Sequence, residues 1–85
     1  MTRISDPHFA ERVHASFALQ NAMALIRATL PLVEHGRTEI HVPHWAGIEQ
    51  QHGFVHGGVV GMIADSAAGY AAMTMVPASA SVLTV

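Results

Sequence analysis

The run Gln50-Gln51-His52-Gly53-Phe54-Val55-His56-Gly57-Gly58, followed by Asp65-Ser66-Ala67, holds the residues of this sequence best suited to chemistry. A Gly-Gly pair at the head of an apolar helix leaves first-turn N–H groups unpaired and uncovered by side chains. The helix dipole adds partial positive charge at the same place. Together they make a cradle for an anion, or for the oxyanion that develops during acyl transfer. Asp65 falls two turns further on, on the side of the expected helix that also carries Gly58 and Gly61. A carboxylate on an otherwise apolar helix must be paired, protonated or used. If used, it attacks a carbonyl or takes a proton from water. The structural alternatives for the same residues are a plain helix-start turn and an acid held by its neighbours.

The elements that must position these residues follow from the local pattern. Residues 1–30 read as a helical lead-in. Asp6 and Pro7 open a short helix as N-cap and first helical residue, and Phe9, Val13 and Phe17 repeat at four-residue spacing. Leu19, Met23, Ile26 and Leu30 continue at helical spacing until Pro31 stops them. Residues 30–43 read as a β-hairpin, with alternating Leu30 and Leu32, a turn at Glu34-His35-Gly36-Arg37, and alternating Ile40 and Val42 closed by Pro43. Residues 44–55 form an irregular loop, and 56–74 a central helix that Pro77 ends. Gly58, Gly61, Asp65, Ala68 or Gly69, and Ala72 line one face of that helix. Small side chains there let another backbone or a ligand approach closely. Ser81 to Val85 opens another strand at its most apolar point, so the chain reads as the N-terminal part of a domain rather than a finished one.

Composition narrows the function classes. The chain has 85 residues, 51% of them hydrophobic and 12% charged, which excludes intrinsic disorder. With no Cys there is no disulfide scaffold, thiolate zinc site or Cys nucleophile. The four basic residues, Arg3, Arg12, Arg27 and Arg37, are scattered, which argues against nucleic acid as a partner. Charged residues interrupt the N-terminus where a signal-peptide core would lie, so the expected location is cytoplasmic. Of the ten charged residues, Asp65 alone follows Glu49, and the stretch from Val55 to Met73 is therefore expected to be buried. A membrane span is disfavoured, because Asp65 would cost about 2.5–3.5 kcal/mol near the bilayer centre and no Arg or Lys flanks the segment. The seven His suggest no metal site: His41 and His44 project to opposite faces of a strand, and Gly53 argues against a helix joining His52 to His56. Met23, Met62, Met73 and Met75 read as core filler.

Gln50-x-x-Gly53-x-x-His56-Gly57-Gly58, six residues, then Asp65-Ser66-Ala67 resembles the hotdog-fold thioesterases of the phenylacetate-pathway type, which hydrolyse acyl-CoA. The lead-in helix, the hairpin turn and the apolar helix stand in family order, so the resemblance covers most of the chain. It implies an α+β hotdog fold, a central helix wrapped by a curved antiparallel sheet, of which residues 1–85 form the N-terminal part. It implies Asp65 as nucleophile or general base and the Gly57 N–H as the donor that polarises the thioester carbonyl. Gln50 would orient the substrate carbonyl or the attacking water. His56 would hold the loop and Gly57 in place; Gly58 and Gly61 would lie along bound substrate, and Thr84 would stand there near the attacking water. The resemblance also implies acyl-CoA as substrate and no cofactor. Self-association as a dimer or tetramer follows, with Asp65 of one subunit facing Gly57 and Gln50 of another.

Two other classes share these features. One is a non-catalytic hotdog binding or assembly module, or an inactive fragment. The other is a hotdog enoyl-thioester hydratase or dehydratase, which the offset from Gly57 to Asp65 disfavours. The thioesterase reading requires a helix that starts near residue 57 and an Asp65 that is not turned outward into bulk solvent.

Overall fold

The computed structural model describes residues 6–77. Its elements in chain order are α1 (Phe9–Ala18), α2 (Asn21–Leu25), β1 (Thr29–Glu34), β2 (Arg37–His41), a single 3-10 turn (Ala46–Ile48) and α3 (Gly57–Met73). The expected strand at 81–85, and with it Thr84, lies outside the described residues.

α1 begins two residues later than Pro7 suggests. The Asp6 carboxylate accepts from the His8 N–H at 2.9 Å and its carbonyl from the Phe9 N–H at 3.2 Å, so it caps the turn that leads into the helix. Val13 on the inner face is fully buried. The second helix is much shorter than its apolar stripe suggests. α2 ends at Leu25, and Arg27 then takes a left-handed conformation, φ 64°, that reverses the chain into β1. That conformation strains a residue with a Cβ. Two contacts hold it: the Arg27 guanidinium lies 3.7 Å from the centre of the Trp45 ring, and the Trp45 indole N–H donates to the Ile26 carbonyl at 3.2 Å.

Pro31 does not end a helix; it lies within β1. The register of the antiparallel pair shifts between Thr29 and Leu32, which places the proline in an irregularity where no ladder N–H is needed. The hairpin turns at His35-Gly36 between the paired Glu34 and Arg37, and Gly36 supplies φ 79°.

α3 lies across β2, and two hydrogen bonds fix its pitch. The Thr38 hydroxyl donates to the Ala67 carbonyl, and the Gly36 N–H donates to Thr74 Oγ1, each at 2.7 Å. Two apolar clusters fill the space beneath. Val13, Leu30 and Tyr70 form one, and Met23, Ile26 and Ile48 the other, with Trp45, Val59, Met62 and Ile63 packed against it. Burying each of the larger side chains contributes about 1.5–3 kcal/mol. Met23, Met62 and Met73 fill these clusters, whereas Met75 stays exposed.

The expectation that Val55 to Met73 is buried fails. Of α3 only Tyr70 is buried, and Gly57, Gly58, Gly61, Asp65, Ala68 and Ala72 form an exposed face. Low charge identified the small-residue stripe, but among the described residues the two-stranded sheet and α1 cover only the opposite side. No described helix is long and apolar enough to cross a membrane.

Candidate active site

The loop from His44 to His56 is tied at its base, which fixes where α3 starts. Ile48 is buried, Glu49 bridges Val55, and the His56 N–H donates to the Ile48 carbonyl at 2.8 Å. Within the loop the Gln50 N–H donates to the Phe54 carbonyl at 2.8 Å, and Gly53 turns the chain back with φ 84°. In its first half, His44 Nε2 pairs with a Glu49 carboxylate oxygen at 2.6 Å. The half-buried Gln50 side chain folds onto the same loop, where Oε1 accepts from the His52 N–H.

α3 starts at Gly57, with His56 as its N-cap in an extended conformation (φ −65°, ψ 131°). His56 Nδ1 accepts from the Gly58 N–H at 2.8 Å. Its carbonyl accepts from the Val59 and Val60 N–H groups at 3.0 and 3.3 Å. The Gly58 amide is therefore engaged within the chain. Among the described residues, the Gly57 N–H is left without a partner at the positive end of a 17-residue helix. A Cβ built at Gly57 or Gly61 would meet nothing within 4 Å, so both positions are open to an approaching group.

Asp65 is exposed, not the buried acid that its apolar neighbours suggest. It lines a groove of about 250 Å³ between α1 and α3. Gly69 and Met73 line it from the same helix, and Ser16 of α1 and Gln20 just beyond α1 line it as well. In its wall Gln20 Nε2 donates to the Tyr70 hydroxyl at 2.6 Å, and Ser16 Oγ lies 3.1 Å from that hydroxyl.

These groups do not converge within one chain. Asp65 and Gly57 are eight residues apart on a single helix, about 12 Å along its axis and 80° around it. Gln50 and His56 stand at the Gly57 end, and Gly61 lies between the two ends. Among the described residues no three His, Asp or Glu side chains gather as a metal site. Sequence reasoning missed Ser16, Gln20 and Tyr70, which are separated by 54 and 50 residues across the two hydrogen bonds. The one available signal was Tyr70 itself, the single tyrosine of the chain, set in a run of Ala and Gly.

The chain is similar to a thioesterase family protein from Silicibacter pomeroyi of known crystal structure. The two are 42% identical over 79% of this chain and 49% of that one, with a TM-score of 0.76. The chain thus spans about half the length of that relative. No protein-family model matches the chain, and no curated protein does. The fold is α+β of the hotdog type: a lead-in helix, an antiparallel hairpin and the long helix laid against it.

Proposed function

We propose that the protein carrying this chain hydrolyses acyl-CoA thioesters of the phenylacetate-pathway type to free acid and CoA. The observation that carries this is the unpartnered Gly57 N–H at the head of α3, with Asp65 two turns along the same exposed face. The 42% identity to a thioesterase family protein supports it.

The reaction needs a nucleophile and an oxyanion donor within about 3 Å of one reacting centre. A spacing of about 12 Å along one helix precludes that in a single chain. A site shared by two copies meets the requirement, with Asp65 of one subunit facing Gly57 and Gln50 of the other. Asp65 is exposed in the single chain, against the burial expected of it, and in a shared site the second copy would cover it.

The Asp65 carboxylate attacks the thioester carbonyl and expels the CoA thiolate, leaving a mixed anhydride that water cleaves; as a general base, it instead takes a proton from the attacking water. Either route passes through a tetrahedral oxyanion, which accepts a hydrogen bond from the Gly57 N–H. The His56 ring, bound to the Gly58 N–H, fixes the first turn, so that the neighbouring amide points outward. The Gln50 carboxamide, steadied through Oε1, keeps its N–H groups for the substrate carbonyl or the water.

In the whole protein, Asp65→Asn is expected to abolish release of free CoA thiol from acyl-CoA while leaving the fold, read by circular dichroism, intact. Undiminished turnover in that variant removes Asp65 from the mechanism.

A further inference from the structure

We infer that the groove between α1 and α3 seats the acyl group, and that Tyr70, Gln20 and Ser16 in its wall select an acyl chain ending in a hydroxyl or carbonyl oxygen over a plain alkyl chain of the same length. This rests on Asp65 being the residue at which the thioester reacts.

Asp65 lines the groove, so a carbonyl held there places the acyl group within it. Gly69 lines it too, and a Cβ there would meet nothing within 4 Å, so the groove is open at that position. The volume of about 250 Å³ lies below the 300–1,000 Å³ usual for drug-sized ligands, which suits a short acyl group. Part of its wall is polar. The Tyr70 ring is buried, 5% exposed, with its hydroxyl accepting from Gln20 and sharing a hydrogen bond with Ser16. A phenol has one hydrogen to give. If it goes to Ser16, the Ser16 O–H still has its own to donate. Gln20 retains its carboxamide oxygen and a second N–H. The wall therefore offers both donors and acceptors to a ligand oxygen. An alkyl end would shut these groups off from water and replace none of their hydrogen bonds, a loss of roughly tenfold to a hundredfold in affinity. Asp65 and Tyr70 line the same groove, five residues apart on α3.

The test compares hexanoyl-CoA with 6-hydroxyhexanoyl-CoA in the whole protein. The expected kcat/KM ratio favours the hydroxylated substrate by about tenfold or more, and Tyr70→Phe and Gln20→Leu each reduce that preference by about tenfold. Gly69→Val fills the groove and raises KM for both substrates. A wild-type ratio near one, or a ratio that neither Tyr70→Phe nor Gln20→Leu alters, overturns the proposal. Calorimetric binding of the two thioesters to the Asp65→Asn protein separates the two readings. If that variant still turns over, the catalytic assignment of Asp65 falls and takes the placement of the acyl group with it. If the variant is inactive and binds both alike, the groove falls and the thioesterase reading stands.

Discussion

The start of α3 allows the oxyanion donor to be deleted with little disturbance to the helix that carries it. Gly57 is the first helical residue, where proline is favoured because the N–H it lacks has no intrahelical partner. His56 before it has ψ 131°, within the range that a following proline imposes. A Cβ at 57 meets nothing within 4 Å. Gly57→Pro therefore removes one N–H and is otherwise compatible with the backbone, and stability is expected to stay level or rise by up to about 1 kcal/mol through the stiffer unfolded chain. Loss of one oxyanion donor is expected to lower kcat by about 10²–10³, or roughly 2.7–4 kcal/mol of transition-state stabilisation. The shared site adds a sharper test. Co-expressed Gly57→Pro and Asp65→Asn chains mix at random, and half of the dimers are hybrids with one site built from two intact halves. About a quarter of wild-type activity should return, from two variants that are each inactive alone. Thiol release by the mixture, set against each variant purified alone, measures this. No recovery in verified hybrids refutes the shared site, and full activity in Gly57→Pro refutes the oxyanion donor.

Three further outcomes follow from contacts that hold the site's surroundings. Thr74 is fully buried and accepts from the Gly36 N–H while donating to the Ala71 carbonyl, both at 2.7 Å, so Thr74→Val should cost about 1–3 kcal/mol in urea denaturation, and more than Thr74→Ser. A Cβ at Gly47 would stand 2.0 Å from the Trp45 ring, which Arg27 and the Ile26 carbonyl hold in place; Gly47→Ala should cost about 1–3 kcal/mol and shift Trp45 fluorescence to the red. The Glu39 carboxyl is held below its ordinary value by its hydrogen bond to His41 and by Arg37, at 3.1 and 2.7 Å. A lowered folded-state pKa stabilises above the ordinary glutamate range near 4.5 and loses that effect as pH falls through the lowered value. Glu39→Gln should accordingly narrow the gap between melting temperatures at neutral and strongly acid pH.

Much of the fold could be read from short-range chemistry. Gly36 between two alternating runs marks the hairpin, because a two-residue turn needs the positive φ it supplies. The His-Gly-Gly run marks the head of α3, because an extended residue with a ring acceptor and two bare glycines makes an open first turn. Pro31 breaks a helical stripe, but a bulge within a strand also dispenses with its N–H, so the proline by itself does not mark a boundary. Asp65 misled for a different reason. Residue types located its face of α3, but which face meets the sheet depends on contacts such as Thr38 with Ala67, set by residues far apart in sequence. The Ser16–Tyr70–Gln20 cluster is invisible to any local period for the same reason.

The Arg12 guanidinium donates to the carbonyls of Met73 and Val76, at 2.9 and 3.1 Å, and so clasps the end of α3 from 61 and 64 residues upstream. Val13 beside it closes on Tyr70 in the same cluster. On the ribosome, where chains emerge at about 5–20 residues per second, α1 thus waits roughly 3–12 seconds for its docking surface to be synthesised. Leu30 and Val33 of β1 reach α1 sooner, and what stays uncovered throughout that interval is the side of α1 that meets Tyr70 and Met73.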